Sequence, residues 1–106
     1  MMRFDGFDWD KGNSSKCQKH GVSISEIEAV MLNTPVIAPD IDHSHHEDRY
    51  IAIGCAFRSR YVFIAFTLRE KNKQILVRPV SARYMHKKEV ESYEKARSKN
   101  DNGQRG

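Results

Sequence analysis

Apolar residues repeat at helical spacing in the segment that follows residue 23. Glu28 stands three residues after Ser25, which is the spacing of a capping box at the start of a helix, and Pro35 marks the end of the run. The pattern predicts a helix over about residues 24–32, with one buried stripe formed by Ile24, Ile27, Val30 and Met31.

The N-terminal segment alternates instead of repeating at helical spacing. Phe7 and Trp9 alternate with acidic residues, which predicts a short strand or an extended arm with one face buried. Residues 12–15 have the composition of a turn, and residues 16–20 predict one or two helical turns that end at Gly21.

Three apolar runs in the middle of the chain predict strands, at residues 50–57, 61–68 and 75–80. The connections between them have the length of hairpin loops, and a shorter strand is expected within residues 36–42. The run at 61–68 is apolar at both alternating positions, as expected of a central strand covered on both faces. We therefore expect an antiparallel meander.

The C-terminal part predicts one more helix, over residues 82–96. From Ser98 the composition becomes polar, so we expect a single domain over residues 1–97 and a disordered tail over residues 98–106. The predicted fold is α+β, with a small antiparallel sheet packed against N-terminal helices and a C-terminal helix.

Length and composition exclude several classes of protein. A chain of 106 residues has room for one small domain, and not for a cofactor-binding domain joined to a substrate domain. There is no apolar run of about eighteen residues and no signal-peptide core, so we expect a cytoplasmic protein with no membrane partner. Cys17 and Cys55 are too few for a disulfide scaffold and lack the close spacing of a zinc site. Cys55 lies within an apolar run and is expected in the core.

The charge is divided unequally along the chain. Residues 1–57 carry five basic and nine acidic side chains, whereas residues 58–106 carry thirteen basic and five acidic ones. A basic half of this kind favours a polyanion such as nucleic acid, or an acidic protein partner. A solvated basic surface without a partner explains the charge alone equally well.

The loop lengths predict which residues face each other across the sheet. A two-residue turn at positions 58 and 59 pairs Phe57 with Arg60 and Arg49 with Leu68. A loop over residues 70–73 then places Arg83 opposite Arg60.

This second register is the weaker one, because Pro79 predicts a bulge or an edge position in the last strand. Together the two registers predict two charged ends of the sheet, about 30 Å apart at the usual rise of a strand. One end holds Arg58, Arg60 and Arg83, with His86 just beyond, and the other holds Glu47, Arg49, Arg69 and Glu70.

Clustered arginines suit one reaction in particular, the cleavage of RNA by its own 2′-hydroxyl. That reaction places charge on a phosphate and then on the leaving oxygen, and fixed guanidinium groups stabilise this charge without a metal. A neighbouring His, Glu or Lys can move the protons. Simpler interpretations stay open, because Arg49 can form a surface ion pair with Glu47 or Glu70, and Arg58 and Arg60 can flank a turn.

The histidines are weaker candidates for a site. His43, His45 and His46 are metal-ligand types, but a flexible loop lacks the fixed fourth ligand of a zinc site, and we expect no metal. His20, next to a helix end, fits a residue favoured by the helix dipole as well as a general base.

An ordered series of motifs resembles the BrnT family, the toxin half of bacterial type II toxin–antitoxin pairs. The similarity covers roughly residues 7–95. The series runs through Trp9-Asp10-x-Gly12-Asn13, Lys16, Lys19-His20-Gly21-Val22-Ser23, His43-Ser44-x-x-Glu47-Asp48-Arg49-Tyr50, Gly54, Arg60, Phe66-Thr67-x-Arg69, Val80-Ser81-Ala82-Arg83-x-Met85 and Glu89-x-x-x-Tyr93.

The resemblance implies a RelE/ParE-like fold, a ribonuclease that halts translation without a cofactor, and a cognate antitoxin of the BrnA type. Such an antitoxin pairs a ribbon-helix-helix part with a segment that covers the toxin, so DNA is contacted only through the antitoxin. The residues implied are Arg83 and Arg60, then Arg69, His20, Glu47 and Arg49 for catalysis, and Arg58, Arg78 and Lys19 for RNA binding.

Two other functions are compatible with the same sequence. The first is a non-catalytic, degenerate toxin that serves as an antitoxin-binding module or corepressor. The second is a gyrase poison of the ParE type. One position departs from the family pattern, because many members have an aliphatic residue where Pro79 stands, and a proline can shift the direction in which Arg83 points.

Overall fold

The fold is built on one mixed sheet, seen in a computed structural model that describes residues 3–56 and 60–104, with side chains through residue 98. Its strands have the order β1-β5-β4-β3-β2, and β1 runs parallel to β5 while the other neighbours are antiparallel. In chain order the elements are β1 (Gly6–Phe7), α1 (Lys11–Gln18), α2 (Ile24–Leu32), β2 (Val36–Pro39), a 3₁₀ turn (Ile41–His43), β3 (Arg49–Cys55), β4 (Tyr61–Lys71), β5 (Gln74–Tyr84) and α3 (Lys87–Gln104).

The α+β class, the helix at residues 24–32 and the central position of β4 are confirmed. The expectation of a purely antiparallel sheet is wrong, because the N-terminal arm adds β1 beside β5 in the parallel direction. The backbone N–H groups of Asp5 and Asp8 donate to the carbonyls of Ile75 and Val77, at 2.7 and 2.8 Å, and hold the arm in place.

Helices α1 and α2 cover one face of the sheet, which we call the helix face. α1 packs on β5, and α2 packs on β3 and β4. The buried core between them comprises Cys17, Val22, Ile27, Val30 and Met31 from the helical side and Ala52, Val62, Ile64, Phe66, Val77 and Ala82 from the sheet. Since side chains alternate across a strand, the residues between these positions point to the opposite face, which we call the open face.

Helix α1 begins earlier than predicted, at Lys11, and the turn expected over residues 12–15 is wrong. Asp10 and Asn13 cap this helix reciprocally: the side chain of Asp10 accepts from the Asn13 N–H, and the side chain of Asn13 accepts from the Asp10 N–H. Polar residues that resemble a turn therefore start a helix. The predicted role of Gly21 in ending the helix is confirmed, because Gly21 follows the end of α1 with a positive φ of 89°.

The strand registers differ from the predicted ones. Arg49 pairs with Thr67 and not with Leu68, a shift of one position. The second hairpin turns on Asn72 and Lys73, which have positive φ values of 51° and 65°, so residues 70 and 71 remain in β4. Arg83 consequently pairs with Phe63 and not with Arg60, and the predicted pairing of these two arginines is wrong.

The bulge expected at Pro79 is confirmed, although β5 is not an edge strand. Ala65 pairs with Ser81 and Phe66 pairs with Pro79, so Val80 is an extra residue without a partner in β4. Proline has no N–H to donate to a neighbouring strand, and the chain departs from a regular ladder at this point. The carbonyl of Pro79 accepts instead from the side chain of Asn13 at 2.9 Å.

The last helix begins at Lys87 and not at residue 82, because β5 continues through Tyr84 in pairing with Val62. The disorder proposed from Ser98 onwards stays a prediction. Within the described part of the chain, no helix is both long enough and apolar enough to cross a bilayer.

Of the two cysteines, it is Cys17 that lies in the core, and not Cys55 as expected. Cys17 is fully buried in the core, and burial raises the pKa of its thiol to about 11. Cys55 lies on the open face and is half-buried, because its position in β3 has the opposite parity to that of the core residue Ala52. Cys55 as a core residue is therefore wrong.

The hydrogen bonds of the buried Asn13 side chain predict that its removal destabilises the fold. Its amide donates to the carbonyls of Asp8 at 3.0 Å and Pro79 at 2.9 Å, and Asn13 is only 7% exposed. We expect Asn13→Ala to lower the free energy of unfolding by roughly 1–3 kcal/mol, because two carbonyls lose their donor. Urea denaturation measures this.

The control is Ser15→Ala, an exposed position in the same helix, where we expect a change within about 0.5 kcal/mol. Equal effects of the two substitutions would contradict the role given to Asn13.

Candidate functional site

Arginine side chains from three adjacent strands lie on the open face. The register gives Thr67 the neighbours Arg49 on β3 and Arg78 on β5, and Arg69 follows two positions along β4. Thr67 is only 2% exposed although α1 and α2 lie on the other side of the sheet. Arg69 Nη1 donates to Thr67 Oγ1 at 3.4 Å. The basic residues thus surround a small, buried polar residue at the centre of the sheet.

Arg83 reaches this face because of the bulge. Five residues separate Arg78 from Arg83, and in a regular strand an odd separation places two side chains on opposite faces. Val80 adds one unpaired residue between them, so Arg78 pairs with Thr67 and Arg83 with Phe63, both on the open face. The Arg83 guanidinium carbon lies 4.8 Å from the centre of the Phe63 ring.

Glu89, in the first turn of α3, holds Arg83 through two hydrogen bonds. Arg83 Nη1 donates to Glu89 Oε1 at 2.8 Å, and Nη2 donates to Oε2 at 2.9 Å. These bonds lower the pKa of the Glu89 carboxyl to about 2, with a further contribution from the backbone N–H of His86, and they raise the pKa of Arg83. Both side chains are 37% exposed, so the pair remains accessible to solvent.

A guanidinium has five N–H donors, and those of Arg83 can be assigned one by one. Two bind Glu89, and a third, on Nη1, lies 3.4 Å from the Tyr84 carbonyl. Within the described residues, the N–H of Nε and the second N–H of Nη2 have no partner. These two donors are parallel and form the edge with which arginine binds a phosphate in a bidentate manner.

Helix α3 also contacts the open face one turn further on. The ring of Tyr93 packs edge-to-face on Tyr61 with centroids 5.4 Å apart, and burial raises the pKa of Tyr93. Arg97 lies 5.6 Å from the centre of the same Tyr93 ring. The aromatic contact fixes α3 beside the strand end that carries Arg83.

The other arginines of the open face are engaged differently. Arg78 bridges two carboxylates, with Asp8 at 3.5 Å and Asp10 at 2.8 Å. The pKa of Asp10 is lowered, chiefly by the backbone N–H of Asn13 and then by Arg78. Arg69 forms an ion pair with Glu47 from the loop before β3. Among the described residues, the guanidinium of Arg49 has no partner.

Arg83 and the arginines around Thr67 form two groups on one face. Four residues of β4 separate Phe63, the partner of Arg83, from Thr67, which corresponds to about 13 Å. A hydrogen bond spans about 3 Å, so the two groups cannot bind the same phosphate oxygen. They lie closer together than the 30 Å predicted between the two ends of the sheet.

Three predicted site residues lie away from the open face. Arg60 stacks on the ring of Tyr84, 3.8 Å from its centre, and the Tyr84 hydroxyl donates to Glu26 of α2, so this group belongs to the helix face. Lys19 and His20 are exposed in the connection between α1 and α2. Arg58 lies outside the described residues. The predicted set is thus divided between the two faces.

The histidine-rich loop makes local contacts. His43 Nδ1 lies 3.0 Å from the carboxylate of Asp40, and Ser44 Oγ donates to the Asp40 carbonyl at 2.7 Å. In the described part of the chain, no three His, Cys, Asp or Glu residues are grouped as metal ligands would be.

Sequence reasoning missed four residues that organise the open face, namely Phe63, Glu89, Asp8 and Asp10. A signal existed for the carboxylates, because Asp8 and Asp10 alternate with the apolar Phe7 and Trp9 and therefore lie opposite the buried side. The contact of Glu89 with Arg83 depends on the bulge and on the late start of α3, and spacing alone does not predict it.

Comparison with protein families gives one match that covers the site. A family model described as "Ribonuclease toxin, BrnT, of type II toxin-antitoxin system" matches residues 9–89. Arg83 and Glu89 both lie within the matched range. A comparison with curated proteins gave no match.

The low pKa of Glu89 predicts how the stability of the fold depends on pH. The folded value of about 2 lies below the ordinary 4.5, so ionised Glu89 stabilises the fold above about pH 4.5, and this contribution is lost as the pH falls towards 2. We expect the stability of the wild type to fall more steeply over this window than that of Glu89→Gln. Thermal unfolding at a series of pH values measures the difference. Glu91→Gln, at an exposed position of the same helix, should retain the steep wild-type profile; a flattened profile in this control would contradict the assignment.

Proposed function

Because this chain belongs to the BrnT family of ribonuclease toxins of type II toxin–antitoxin systems, we propose that it cleaves RNA on the open face of its sheet. The cleavage inhibits translation in the cytoplasm, and a cognate protein antitoxin neutralises it. The fold on which this site is built is of the RelE/ParE type.

The unoccupied edge of Arg83 is the observation that carries this proposal. Nη2 uses one N–H for Glu89, and its second N–H and the N–H of Nε have no partner within the described residues. The side chain is 37% exposed, and its guanidinium carbon lies 4.8 Å from the centre of the Phe63 ring. A phosphate of single-stranded RNA presents two oxygens at the spacing of this fork. Arg83 therefore binds the reacting phosphate.

The proposed reaction is attack of the 2′-hydroxyl on the adjacent phosphate, with no metal ion. The bond from phosphorus to the 5′-oxygen of the next nucleotide breaks, which leaves a 2′,3′-cyclic phosphate; the 2′-hydroxyl proton passes to water, and the departing 5′-oxygen takes a proton from water. Negative charge grows on the phosphate oxygens as the new bond forms, and a guanidinium fixed before the reaction stabilises this charge without reorganisation. Glu89 is not the general base, because a carboxylate with a pKa of about 2 accepts a proton weakly near neutral pH.

The second group of arginines binds the same RNA further along the strand. Arg49 is free to contact a phosphate, and Arg69 with Glu47 lies at the same end of the open face, about 13 Å or more from Arg83. Arg78 contributes positive charge while it holds the N-terminal arm through Asp8 and Asp10. Contacts of this kind strengthen binding and are weakened by salt.

The proposed partner is an antitoxin of the BrnA type with a ribbon-helix-helix part. The antitoxin covers the open face, and DNA is contacted through the antitoxin and not by this chain. The basic character of residues 58–106, with thirteen basic and five acidic side chains, supports an acidic covering segment.

A second candidate function is a non-catalytic antitoxin-binding module. The ion pairs of Arg69, Arg78 and Arg83 favour it, because paired arginines already have anionic partners in the absence of RNA. This candidate predicts a tight antitoxin complex and intact RNA after incubation with the purified protein. Breakage of DNA in the presence of gyrase would instead support a ParE-type poison.

Arg83→Lys tests the proposed site directly. Lysine keeps the charge but not the planar fork, so we expect RNA cleavage to fall by roughly 100-fold or more, with the protein still folded. The assay follows cleavage of a fluorescent single-stranded RNA, with growth arrest on induced expression as a second readout. Lys11→Ala removes one positive charge at an exposed position of α1 and should cleave like the wild type. Full activity of Arg83→Lys would remove Arg83 from the site.

Metal independence is tested by chelation. We expect the rate of RNA cleavage by the purified protein to be unchanged by an excess of EDTA over divalent cations, because the proposed stabilisation comes from guanidinium groups alone. A loss of cleavage that Mg²⁺ restores would contradict the metal-free reaction and leave the assignment to a ribonuclease family intact.

A further inference from the structure

We propose that Glu89 is a positioning residue of the RNA-cleaving site: it holds Arg83 so that the Nε–Nη2 edge faces the reacting phosphate. This inference rests on the proposed function, since it concerns the same site. It adds a role for helix α3, which contributes the carboxylate that sets the direction of the arginine on β5.

The carboxylate of Glu89 is itself fixed by the backbone. Glu89 Oε1 accepts from the His86 N–H at 2.9 Å and from Arg83 Nη1 at 2.8 Å, while Oε2 accepts from Nη2 at 2.9 Å. A carboxylate at the third position of a helix that binds the N–H of the residue before the helix is half of a capping box. The start of α3 and the arginine are thereby joined through one side chain.

These bonds leave Arg83 little freedom to rotate. Glu89 binds the end of the guanidinium, the Tyr84 carbonyl lies 3.4 Å from Nη1, and the centre of the Phe63 ring lies 4.8 Å from the guanidinium carbon. Free arginine side chains lose considerable rotamer entropy when they bind a ligand, and an arginine already held in one orientation loses less. The Nε–Nη2 edge remains without a partner among the described residues, and it is an edge with which arginine binds a phosphate in a bidentate manner.

The other arginines of the open face lack this combination. Arg78 lies between two carboxylates, which bind both of its terminal nitrogens. Arg69 uses Nη1 for both Glu47 and Thr67. Among the described residues Arg49 has no partner to orient it. Arg83 alone in this group is held by a single carboxylate in a bidentate manner.

An opposite role for Glu89 is chemically reasonable and predicts an opposite result. If Glu89 competed with RNA for the guanidinium, its removal would free Arg83 and increase cleavage. Positioning predicts a decrease, because a mobile guanidinium is misplaced in the transition state, and a misplacement of about 1 Å can cost about 100-fold in rate. The sign of the change therefore separates the two roles.

The kinetic test compares Glu89→Gln with Glu91→Gln, a control at an exposed position of the same helix. With the single-stranded RNA substrate, we expect Glu89→Gln to lower kcat by roughly 10- to 100-fold with little change in KM, and Glu89→Asp to be intermediate. Because Arg83 and Glu89 act as a unit, the double variant Arg83→Lys, Glu89→Gln should cleave no more slowly than Arg83→Lys alone.

A second measurement does not depend on cleavage. In the ¹⁵N spectrum of the wild type, we expect a resolved Arg83 Nε–H signal that shifts when an uncleavable 2′-O-methyl RNA is added. In Glu89→Gln this signal should broaden and respond less.

The positioning role would be overturned if the Arg83 Nε–H signal of Glu89→Gln had the same width and the same response to RNA as that of the wild type. Cleavage by Glu89→Gln at the wild-type rate or faster would also overturn it. Failure of the wild type to cleave any RNA would instead reject the proposed function, and the spectrum would still decide whether Glu89 orders Arg83.

Discussion

The open face depends on one unpaired residue in β5. Val80 has no partner in β4, and this single insertion brings Arg83 to the same side as Arg78 and Arg49. The insertion occurs next to Pro79, which has no N–H to donate to a neighbouring strand. The carbonyl of Pro79 accepts a hydrogen bond from the side chain of Asn13. A helix cap near the N-terminus and a bulge near residue 80 thus form one structural unit, and this unit sets which arginines of β5 lie on the open face.

Carboxylates accompany most of the positive charge on this face. Glu89, Glu47 and the pair Asp8 and Asp10 each bind an arginine. Neutralising partners reduce the repulsion between neighbouring guanidinium groups, so several arginines can lie close together on a small sheet. The pairs differ in which nitrogens they occupy. The bidentate carboxylate on Arg83 leaves its Nε–Nη2 edge without a partner among the described residues, whereas two carboxylates occupy both terminal nitrogens of Arg78.

Hydrophobic spacing predicted the parts of the fold that burial determines. The stripe through Ile27 and Val30 gave the helix α2, and the doubly apolar run at residues 61–68 gave the central strand. Register was less predictable. Moving the turn by one residue, to Asn72 and Lys73, shifts every facing pair by two positions, and a shift of two positions keeps each side chain on the same face. The family motifs contained Arg83 and Glu89, but their contact depends on a bulge, a turn and a helix start that alternation does not determine.

Arg83 and Tyr84 are consecutive residues whose side chains lie on opposite faces of the sheet, and this connects the two sides mechanically. Arg60 stacks on the ring of Tyr84, and the Tyr84 hydroxyl donates to Glu26. The carbonyl of Tyr84 lies 3.4 Å from Arg83 Nη1. The main chain of Tyr84 therefore joins the stacked pair of Arg60 and Tyr84 on one face to the guanidinium of Arg83 on the other.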